Sequence, residues 1–176
     1  MKILLTGGSA SGKSAYAEQL AVALPGPRIY LATMIPSGTE GQARIERHRA
    51  ARANKGFETI ERYRDLAGLT LPENNVVLLE CIGNIVANEM FGETPARTDV
   101  AELILEGIVA LARQTPQLLV VTNEVGSDGQ QYDESVRAYI EVIGTINSSL
   151  AQEFDSVYEV CCGIPLLVSS AKGETE

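Results

Sequence analysis

Residues 7–14 read GGSASGKS and lie between a short apolar run, Ile3 to Leu5, and a segment with helical spacing from Ser14 onward. The spacing fits G-x-x-x-x-G-K-[ST], in which backbone N–H groups surround a phosphate, the lysine reaches the β and γ phosphates and the last hydroxyl binds Mg²⁺. Glycine is needed because a side chain would keep the backbone away from the anion. The order of strand, loop and helix therefore predicts a nucleoside triphosphate site rather than a flexible Gly/Ser turn.

The helix after this loop has apolar residues at helical spacing, namely Ala17, Leu20, Ala21 and Leu24. A Pro-Gly-Pro sequence at residues 25–27 is expected to end it. Its first turn would add unpaired N–H groups and the positive end of the helix dipole to the phosphate site. We expect Lys13 to act in catalysis and Ser14 to bind Mg²⁺. The residues predicted to hold the nucleotide phosphates are Gly7, Gly8, Ser9, Ala10, Ser11, Gly12, Lys13 and Ser14.

The composition fits one globular domain. The chain has 176 residues, of which 45% are hydrophobic, and a mean hydropathy of +0.04, enough for a buried core. No apolar stretch approaches the roughly 20 residues that cross a bilayer, and the N-terminus enters the first predicted strand without a cleavable signal pattern. We therefore expect a cytoplasmic protein with a nucleotide-binding domain at residues 1–168 and a flexible tail at 169–176.

Charge and cysteine usage argue against two classes of function. The net charge is −9, whereas broad nucleic-acid binding relies on a basic surface. The three cysteines are an odd number without a C-x-x-C spacing, so they predict neither a disulfide framework nor a zinc site. We expect them to be buried, reduced thiols.

Predicted strands alternate with predicted helices along the chain. The strands are residues 2–6, 28–32, 76–80, 118–122 and 156–162, with a shorter one at 57–60; the helices are 13–24, 42–53, 82–91, 100–114 and 134–153. Helical connections of this length join parallel strands by right-handed crossovers. The prediction is a single α/β domain of P-loop NTPase type, with a mainly parallel sheet and helices on both faces.

Two carboxylates follow predicted strands. Glu80 ends the run VVLLE, and Glu124 follows the run that ends at Thr122. Ligands of open parallel sheets bind beyond the carboxyl ends of the strands, where an acid could hold Mg²⁺ directly or through water. Either carboxylate could instead cap a helix or face solvent, and the sequence does not decide which of the two serves the metal.

The only histidine, His48, lies in the basic segment QARIERHRAAR at residues 42–52. In a helix, Arg44, His48 and Arg52 share one face, where a triphosphate would relieve the repulsion between like charges. Nearby guanidinium groups also disfavour imidazolium and keep the ring in the neutral form that can attack phosphorus. Such a segment suits a covalent nucleotidyl transfer, although a solvated basic surface has the same composition.

Together these motifs resemble the bifunctional adenosylcobinamide kinase and adenosylcobinamide-phosphate guanylyltransferase family of cobalamin biosynthesis. The phosphate loop is common to many families, whereas the histidine segment combined with LLEC and TNEVG is far more specific. The matches follow the family order over nearly the whole chain: TGGSASGKS at 6–14, YLAT at 30–33, ARIERHR at 43–49, TIE at 59–61, LLEC at 78–81, TNEVG at 122–126 and GIPL at 163–166.

The resemblance implies two reactions on a corrinoid. A nucleoside triphosphate, ATP or GTP, phosphorylates the aminopropanol hydroxyl of adenosylcobinamide. A histidine then attacks the α-phosphorus of GTP, pyrophosphate leaves, and the bound GMP passes to adenosylcobinamide phosphate to give adenosylcobinamide-GDP. On this chain His48 matches the guanylylated histidine. The other positions that match the nucleotide site are Ala32, Thr33, Arg49, Ala50, Ala51, Arg52, Glu61 and Glu80.

One segment departs from the family pattern. After TNEVG the family carries a proline, an arginine-rich helix start and later an N-Q pair, whereas here Ile140 replaces the second arginine and Ser148 follows Asn147. If residues 127–148 serve the kinase step or the corrinoid, that activity is the one the departure would weaken. The resemblance also implies a homotrimer with nucleotide sites near subunit contacts.

Two other interpretations stay open on the residues alone. A small-molecule kinase could use the same phosphate loop without a covalent histidine, in which case γ-phosphate transfer would not need His48. A nucleotide-dependent switch without substrate chemistry would fit the altered segment around Ile140.

Overall fold

A computed structural model describes residues 1–36, 38–92, 99–127 and 129–170, and gives the backbone alone for Glu40, Arg44 and Ala51. The strands are β1 (Lys2–Thr6), β2 (Arg28–Ala32), β3 (Phe57–Glu61), β4 (Val76–Glu80), β5 (Gln117–Val121), β6 (Ser156–Cys161) and β7 (Ile164–Ser170). The helices are α1 (Lys13–Ala23), α2 (Gly38–Arg52), α3 (Ile82–Phe91), α4 (Val100–Gln114) and α5 (Glu134–Glu153), with a 3-10 turn at Leu66–Gly68.

The strands form one seven-stranded sheet in the order β3-β2-β4-β5-β1-β6-β7. The five neighbouring pairs from β3 to β6 are parallel, and β6–β7 is antiparallel. The prediction of a mainly parallel sheet is confirmed. Since parallel strands end at the same edge, the residues that follow β1, β2, β4 and β5 are brought together there.

Helices cover both faces of the sheet, as predicted. On β4, Val77 and Leu79 belong to an apolar cluster with residues of α3, α4 and α5. Val76 and Leu78 belong to a second cluster that includes Ala17 and Ala21 of α1. This arrangement follows from the alternation of side chains along a strand and explains why these strands read as unbroken apolar runs.

Helix α2 differs from the other helices because no residue of its described part belongs to either apolar cluster. It connects β2 to β3 at one margin of the sheet. It begins at Gly38 and ends at Arg52, whereas the sequence predicted residues 42–53. The position of α2 therefore depends strongly on polar contacts, among them the ion pairs of Arg49 and Arg52.

Strand β7 is absent from the sequence prediction. Its sequence lacks the alternation of apolar and polar residues that marks a strand, and Pro165 disfavours one. Four of its apolar residues are exposed in the structure: Ile164, Leu166, Leu167 and Val168. Ser169 and Ser170, assigned above to the tail, pair with β6. Residues 171–176 lie outside the described residues.

The cysteine expectation needs a correction. All three cysteines are free, but only Cys81 is buried, whereas Cys161 and Cys162 are exposed. The exposed pair lies where β6 turns into β7, at the solvent-facing margin of the sheet. Within the four described ranges, none of the helices has the length and apolar character needed to cross a membrane.

Candidate functional site

The loop between β1 and α1 takes the backbone shape that its glycines predict. Gly7 has φ 148° and Gly12 has φ 94°, in the region that disfavours residues with a side chain. A Cβ at Gly7 would lie 2.5 Å from the Val160 carbonyl oxygen, and one at Gly12 would lie 3.1 Å from Gly163 Cα. Both glycines are therefore required by conformation and by close packing.

The N-terminus of α1 is open toward an anion. Gly12 occupies the N-cap position without a side-chain cap, and the first turn holds no acidic residue. Lys13 is buried, and its Nζ donates to the Gly8 carbonyl oxygen at 2.9 Å, which keeps the ammonium against the loop. Free N–H groups, a helix dipole and a fixed cation together form a phosphate-binding arrangement.

Glu80 meets the serine that was expected to bind Mg²⁺. Ser14 Oγ donates to Glu80 Oε1, and the buried Glu80 Oε2 has no hydrogen-bond partner among the described residues. Glu124, the other candidate, is exposed and accepts from Ser127 Oγ at 2.9 Å. A hydroxyl beside a carboxylate with a spare oxygen offers the hard donors that Mg²⁺ prefers, so these residues fit the ion.

His48 lies beside this carboxylate. One nitrogen of His48 and one carboxylate oxygen each from Glu18 and Glu80 lie within 4.8 Å of one another. Since Glu80 also accepts a hydrogen bond from Ser14, His48 of α2 lies close to the serine of the phosphate loop. Since Lys55 and Arg52 already neutralise Glu18, the three groups do not form a favourable cation site.

Arg52 is a buried cation with spare donors. Its guanidinium carbon lies 3.4 Å from the centroid of the Tyr30 ring, and its Nη1 is 3.9 Å from Glu18 Oε1. Its Nε and Nη1 are buried without a hydrogen-bond partner among the described residues. Unmade hydrogen bonds of a buried charged group are costly, so this geometry indicates a place for an anion. Burial, aided by the nearby Glu80 carboxylate, raises the pKa of Tyr30 and keeps its hydroxyl neutral.

A pocket with about 520 Å³ of empty volume, partly open to solvent, lies between α2 and the ends of β2, β3 and β4. Seven of its lining residues were predicted from the sequence: Ala32, Thr33, His48, Arg49, Arg52, Glu61 and Glu80. The others are Tyr30, Met34, Ile45, Thr59, Cys81 and Asn84.

One predicted residue of α2, Ala50, does not line this pocket. Ala50 is exposed on the helix, and the side chain of Ala51 lies outside the described residues. Two lining residues that the prediction missed, Tyr30 and Thr59, carried a sequence signal, since they belong to the quoted YLAT and TIE motifs. Ile45 carried no such sequence signal, because a single apolar residue in a basic helix does not indicate a pocket.

One rim of the pocket is an ion pair between α2 and β3. Arg49 Nη2 lies 2.5 Å from Glu61 Oε1, and the Tyr63 hydroxyl donates to Glu61 Oε2 at 2.7 Å. The Tyr63 hydrogen bond, followed by the Arg49 guanidinium, holds the pKa of Glu61 below its ordinary value of 4.5. Burial, followed by the Glu61 carboxylate, raises the pKa of Tyr63 to about 12, so Tyr63 remains a donor at neutral pH.

Thr33 fixes two strand ends at the floor of the pocket. Its side chain is fully buried; Oγ1 accepts from the Cys81 backbone N–H at 2.6 Å and donates to the Cys81 carbonyl oxygen at 2.9 Å. The residues that follow β2 and β4 are thus tied together. Thr33 therefore has a structural role in addition to lining the pocket.

The altered segment packs behind the residues TNEVG. A Cβ at Gly126 would lie 3.1 Å from Ile140 Cγ2, so Ile140 closes on the glycine backbone. Asn147 Oδ1 accepts from Thr122 Oγ1 at 2.7 Å, and its Nδ2 donates to the Asn123 carbonyl oxygen at 3.3 Å. Neither Ile140 nor Asn147 lines the pocket beside His48. Asp128, within the same segment, lies outside the described residues.

Sequence comparisons with known proteins identify the family of this chain. A model of the family described as cobinamide kinase / cobinamide phosphate guanyltransferase matches residues 3–168. The chain is 32% identical to the bifunctional adenosylcobalamin biosynthesis protein CobU of Escherichia coli K12, over 93% of this chain and 97% of that protein. Its identity to CobU of Salmonella typhimurium LT2 is 34%, with the same coverage of 93% and 97%. CobP of Pseudomonas aeruginosa is 29% identical, over 94% of this chain and 96% of that protein.

Solved structures support the fold alone. A Pyrococcus horikoshii OT3 protein has a TM-score of 0.58 at 10% identity and covers 98% of this chain and 88% of its own. An ATPase from the type III secretion system of pathogenic bacteria has a TM-score of 0.50 at 13% identity, with coverage of 90% and 50%. The family match over nearly the whole chain is decisive: the protein belongs to the cobinamide kinase / cobinamide phosphate guanyltransferase family of enzymes.

Proposed function

We propose that this enzyme phosphorylates adenosylcobinamide with ATP or GTP and then transfers GMP from GTP, through a guanylylated His48, to adenosylcobinamide phosphate. The observation that carries the proposal is the meeting of His48 with Glu80, which itself contacts Ser14 of the phosphate loop. A nucleotide whose phosphates lie in the loop would then have its α-phosphorus close to the imidazole.

In guanylyl transfer the neutral imidazole attacks the α-phosphorus as the bond to the pyrophosphate oxygen breaks. The product is a phosphoramidate, and the proton on the ring's other nitrogen passes to solvent, so that the bonded ring is neutral. Lys13 and the loop N–H groups stabilise the departing pyrophosphate, whereas Arg52 neutralises charge on the α-phosphate. Splitting the transfer into two steps lets pyrophosphate leave before the bulky corrinoid must be aligned.

In the kinase step the same loop holds the triphosphate, and the aminopropanol hydroxyl takes the terminal phosphoryl group. Ser14 and Glu80 would hold Mg²⁺, which supplies charge neutralisation on the phosphates; Glu124 is the alternative carboxylate. Lys13 orients the terminal phosphate. The loop reads phosphates rather than bases, so this step accepts either nucleotide in the proposal.

The proposal extends to assembly and location. Strand β7 lies at the margin of the sheet and exposes Ile164, Leu166, Leu167 and Val168, an apolar surface suited to a subunit contact. It supports the homotrimer that the family resemblance implies.

The three free thiols support a reducing compartment, the cytoplasm.

The test is to trap the covalent intermediate with GTP labelled at the α-phosphate. We expect the wild-type protein to retain label that is acid-labile and alkali-stable, as a phosphoramidate is, and His48→Ala to retain none. Arg47→Gln is the matched control, because Arg47 is exposed on the same helix and its Nε donates within α2, to the Ala43 carbonyl oxygen.

Label that survives His48→Ala, or its absence from the wild-type protein, would reject the covalent mechanism. If the wild-type protein then still transferred the γ-phosphate to cobinamide, the enzyme would be a small-molecule kinase without a histidine intermediate. A cobinamide-dependent release of pyrophosphate from GTP would exclude a nucleotide switch without chemistry.

A further inference from the structure

We propose that Glu18 is a positioning residue for guanylyl transfer: its buried carboxylate anchors the C-terminal end of α2 on α1 and so holds His48 and Arg52 against the phosphate loop. This inference rests on the proposed function and adds to it a residue that does not itself contact the nucleotide. The argument follows from the burial of Glu18, from the two cations that it pairs and from the polar character of α2.

Glu18 is an unusual residue for the interior of this domain. It lies on α1 beside Ala17 and is only 3% exposed. Its Oε2 is 2.5 Å from Lys55 Nζ, and its Oε1 is 3.9 Å from Arg52 Nη1. A carboxylate is rarely buried to this degree unless it is paired, so the two cations account for its presence there.

Both cations belong to the end of the histidine helix. Arg52 is the last residue of α2, and the Lys55 backbone N–H donates to the Arg52 carbonyl oxygen at 2.9 Å, which makes them one local unit. The described part of α2 contributes nothing to the apolar clusters of the sheet. Glu18 therefore supplies the buried ionic contact through which α2 is held to α1.

The same contact prepares Arg52 for an anion. Glu18 Oε1 balances the guanidinium charge at 3.9 Å, beyond the length of a direct hydrogen bond, and Tyr30 occupies its flat face. Nε and Nη1 therefore remain without a hydrogen-bond partner among the described residues. Because a carboxylate oxygen of Glu18 also lies within 4.8 Å of a His48 nitrogen, one carboxylate sets the position of both groups that act on the α-phosphate in the proposed function.

The experiment replaces Glu18 by glutamine, which keeps the size and removes the charge. For Glu18→Gln we expect α-label incorporation to be at least tenfold slower, with γ-phosphate transfer to cobinamide within twofold of wild type. Loosening α2 should also expose the chain's only histidine, so diethyl pyrocarbonate should modify His48 several-fold faster. The control is Glu153→Gln, an exposed glutamate at the end of α5, which should change none of the three rates.

Lys55→Gln provides an independent variant, because the Lys55 side chain is 34% exposed and its removal disturbs packing less. We expect it to slow labelling in the same direction, and to have no further effect in the Glu18→Gln background, since the pair is already lost there. A purely structural pair would lower stability without separating guanylyl transfer from the kinase step.

Wild-type rates of labelling and of histidine modification in both Glu18→Gln and Lys55→Gln would overturn the inference and leave the proposed function standing. Failure of the wild-type protein to take up label would instead reject the proposed function. The rate of histidine modification would still test the anchor in that case.

Discussion

Arg52 illustrates how a buried charge can serve a binding site. Its guanidinium lies flat on the Tyr30 ring at 3.4 Å, an arrangement that the planar arginine head allows and that lysine would not reproduce. Two of its nitrogens remain without a partner, which costs stability in the free protein. In the proposed function an anion that pairs with Arg52 recovers that cost, so the arrangement would favour nucleotide affinity over stability.

The Arg49–Glu61 pair should give the protein a measurable acid sensitivity. The pKa of Glu61 in the folded state is below 4.5 because of Tyr63 and Arg49. The stabilisation is therefore present above about pH 4.5 and is lost as the pH falls through the lowered folded-state pKa. We expect Glu61→Gln to be less stable than wild type near neutral pH, and the difference to shrink on acidification.

Urea unfolding of both proteins at about pH 7 and about pH 3 measures this difference. Glu58→Gln is a suitable control, since Glu58 lies on the same strand and is exposed. A difference between Glu61→Gln and wild type that stays constant over this range would contradict the assignment.

At the scale of elements, α4 approaches the 3-10 turn through a glycine. A Cβ at Gly107 would lie 2.6 Å from Leu66 Cβ and 3.2 Å from the Ala67 backbone nitrogen. We expect Gly107→Ala to destabilise the protein by about 1–3 kcal/mol, because the helix and the turn must separate.

Gly144→Ala is the matched control, because a Cβ at this glycine of α5 has open space around it. Alanine favours a helix over glycine by up to about 1 kcal/mol, so this variant should be as stable as wild type or more so. Urea unfolding under one set of conditions compares the three proteins. Equal stability of Gly107→Ala and wild type would show that the close approach is dispensable.

The elements also show what the sequence could and could not predict. Strands buried on both faces, such as β4, read as apolar runs, and their bounds were predicted to the residue. β7 was missed because its apolar residues follow one another and do not alternate with polar ones, and strand prediction depends on that alternation. Four of these apolar residues are exposed in the structure. The start of α2 was placed late because its first turn is Gly-Thr-Glu-Gly, a sequence that resembles a loop.

At the scale of the molecule, the topology unites residues that are distant in sequence. The pattern left open whether Glu80 or Glu124 serves the metal, and only the packing of β4 beside β5 and of α1 over the sheet brings Glu80 to Ser14. Glu18 was not predicted to have a role. Its signal was an acid next to the apolar positions Ala17 and Ala21, which becomes meaningful only when Lys55 is seen beside it.

The exposed margin of the sheet gives a prediction about assembly. Leu166 and Val168 are 50% and 61% exposed and form part of the exposed apolar face of β7 at the margin of the sheet. If this face is the subunit contact, Leu166→Glu combined with Val168→Glu should convert an oligomer into a monomer, as measured by light scattering.

Val22→Glu provides the comparison for that measurement, because Val22 is an apolar residue that is 40% exposed and lies on α1 rather than on β7. It should leave the mass unchanged. An oligomer that survives both charges on β7 would place the contact elsewhere.

The marginal position of α2 bears on how such an enzyme can change over evolutionary time. The helix that carries His48 connects two neighbouring strands and contributes no residue of its described part to the apolar interior. Lineages could therefore change much of this helix without disturbing the apolar clusters of the sheet, provided that the partners of Glu18 are kept. Changes in chemistry and changes in the core can accumulate in separate stretches of the chain.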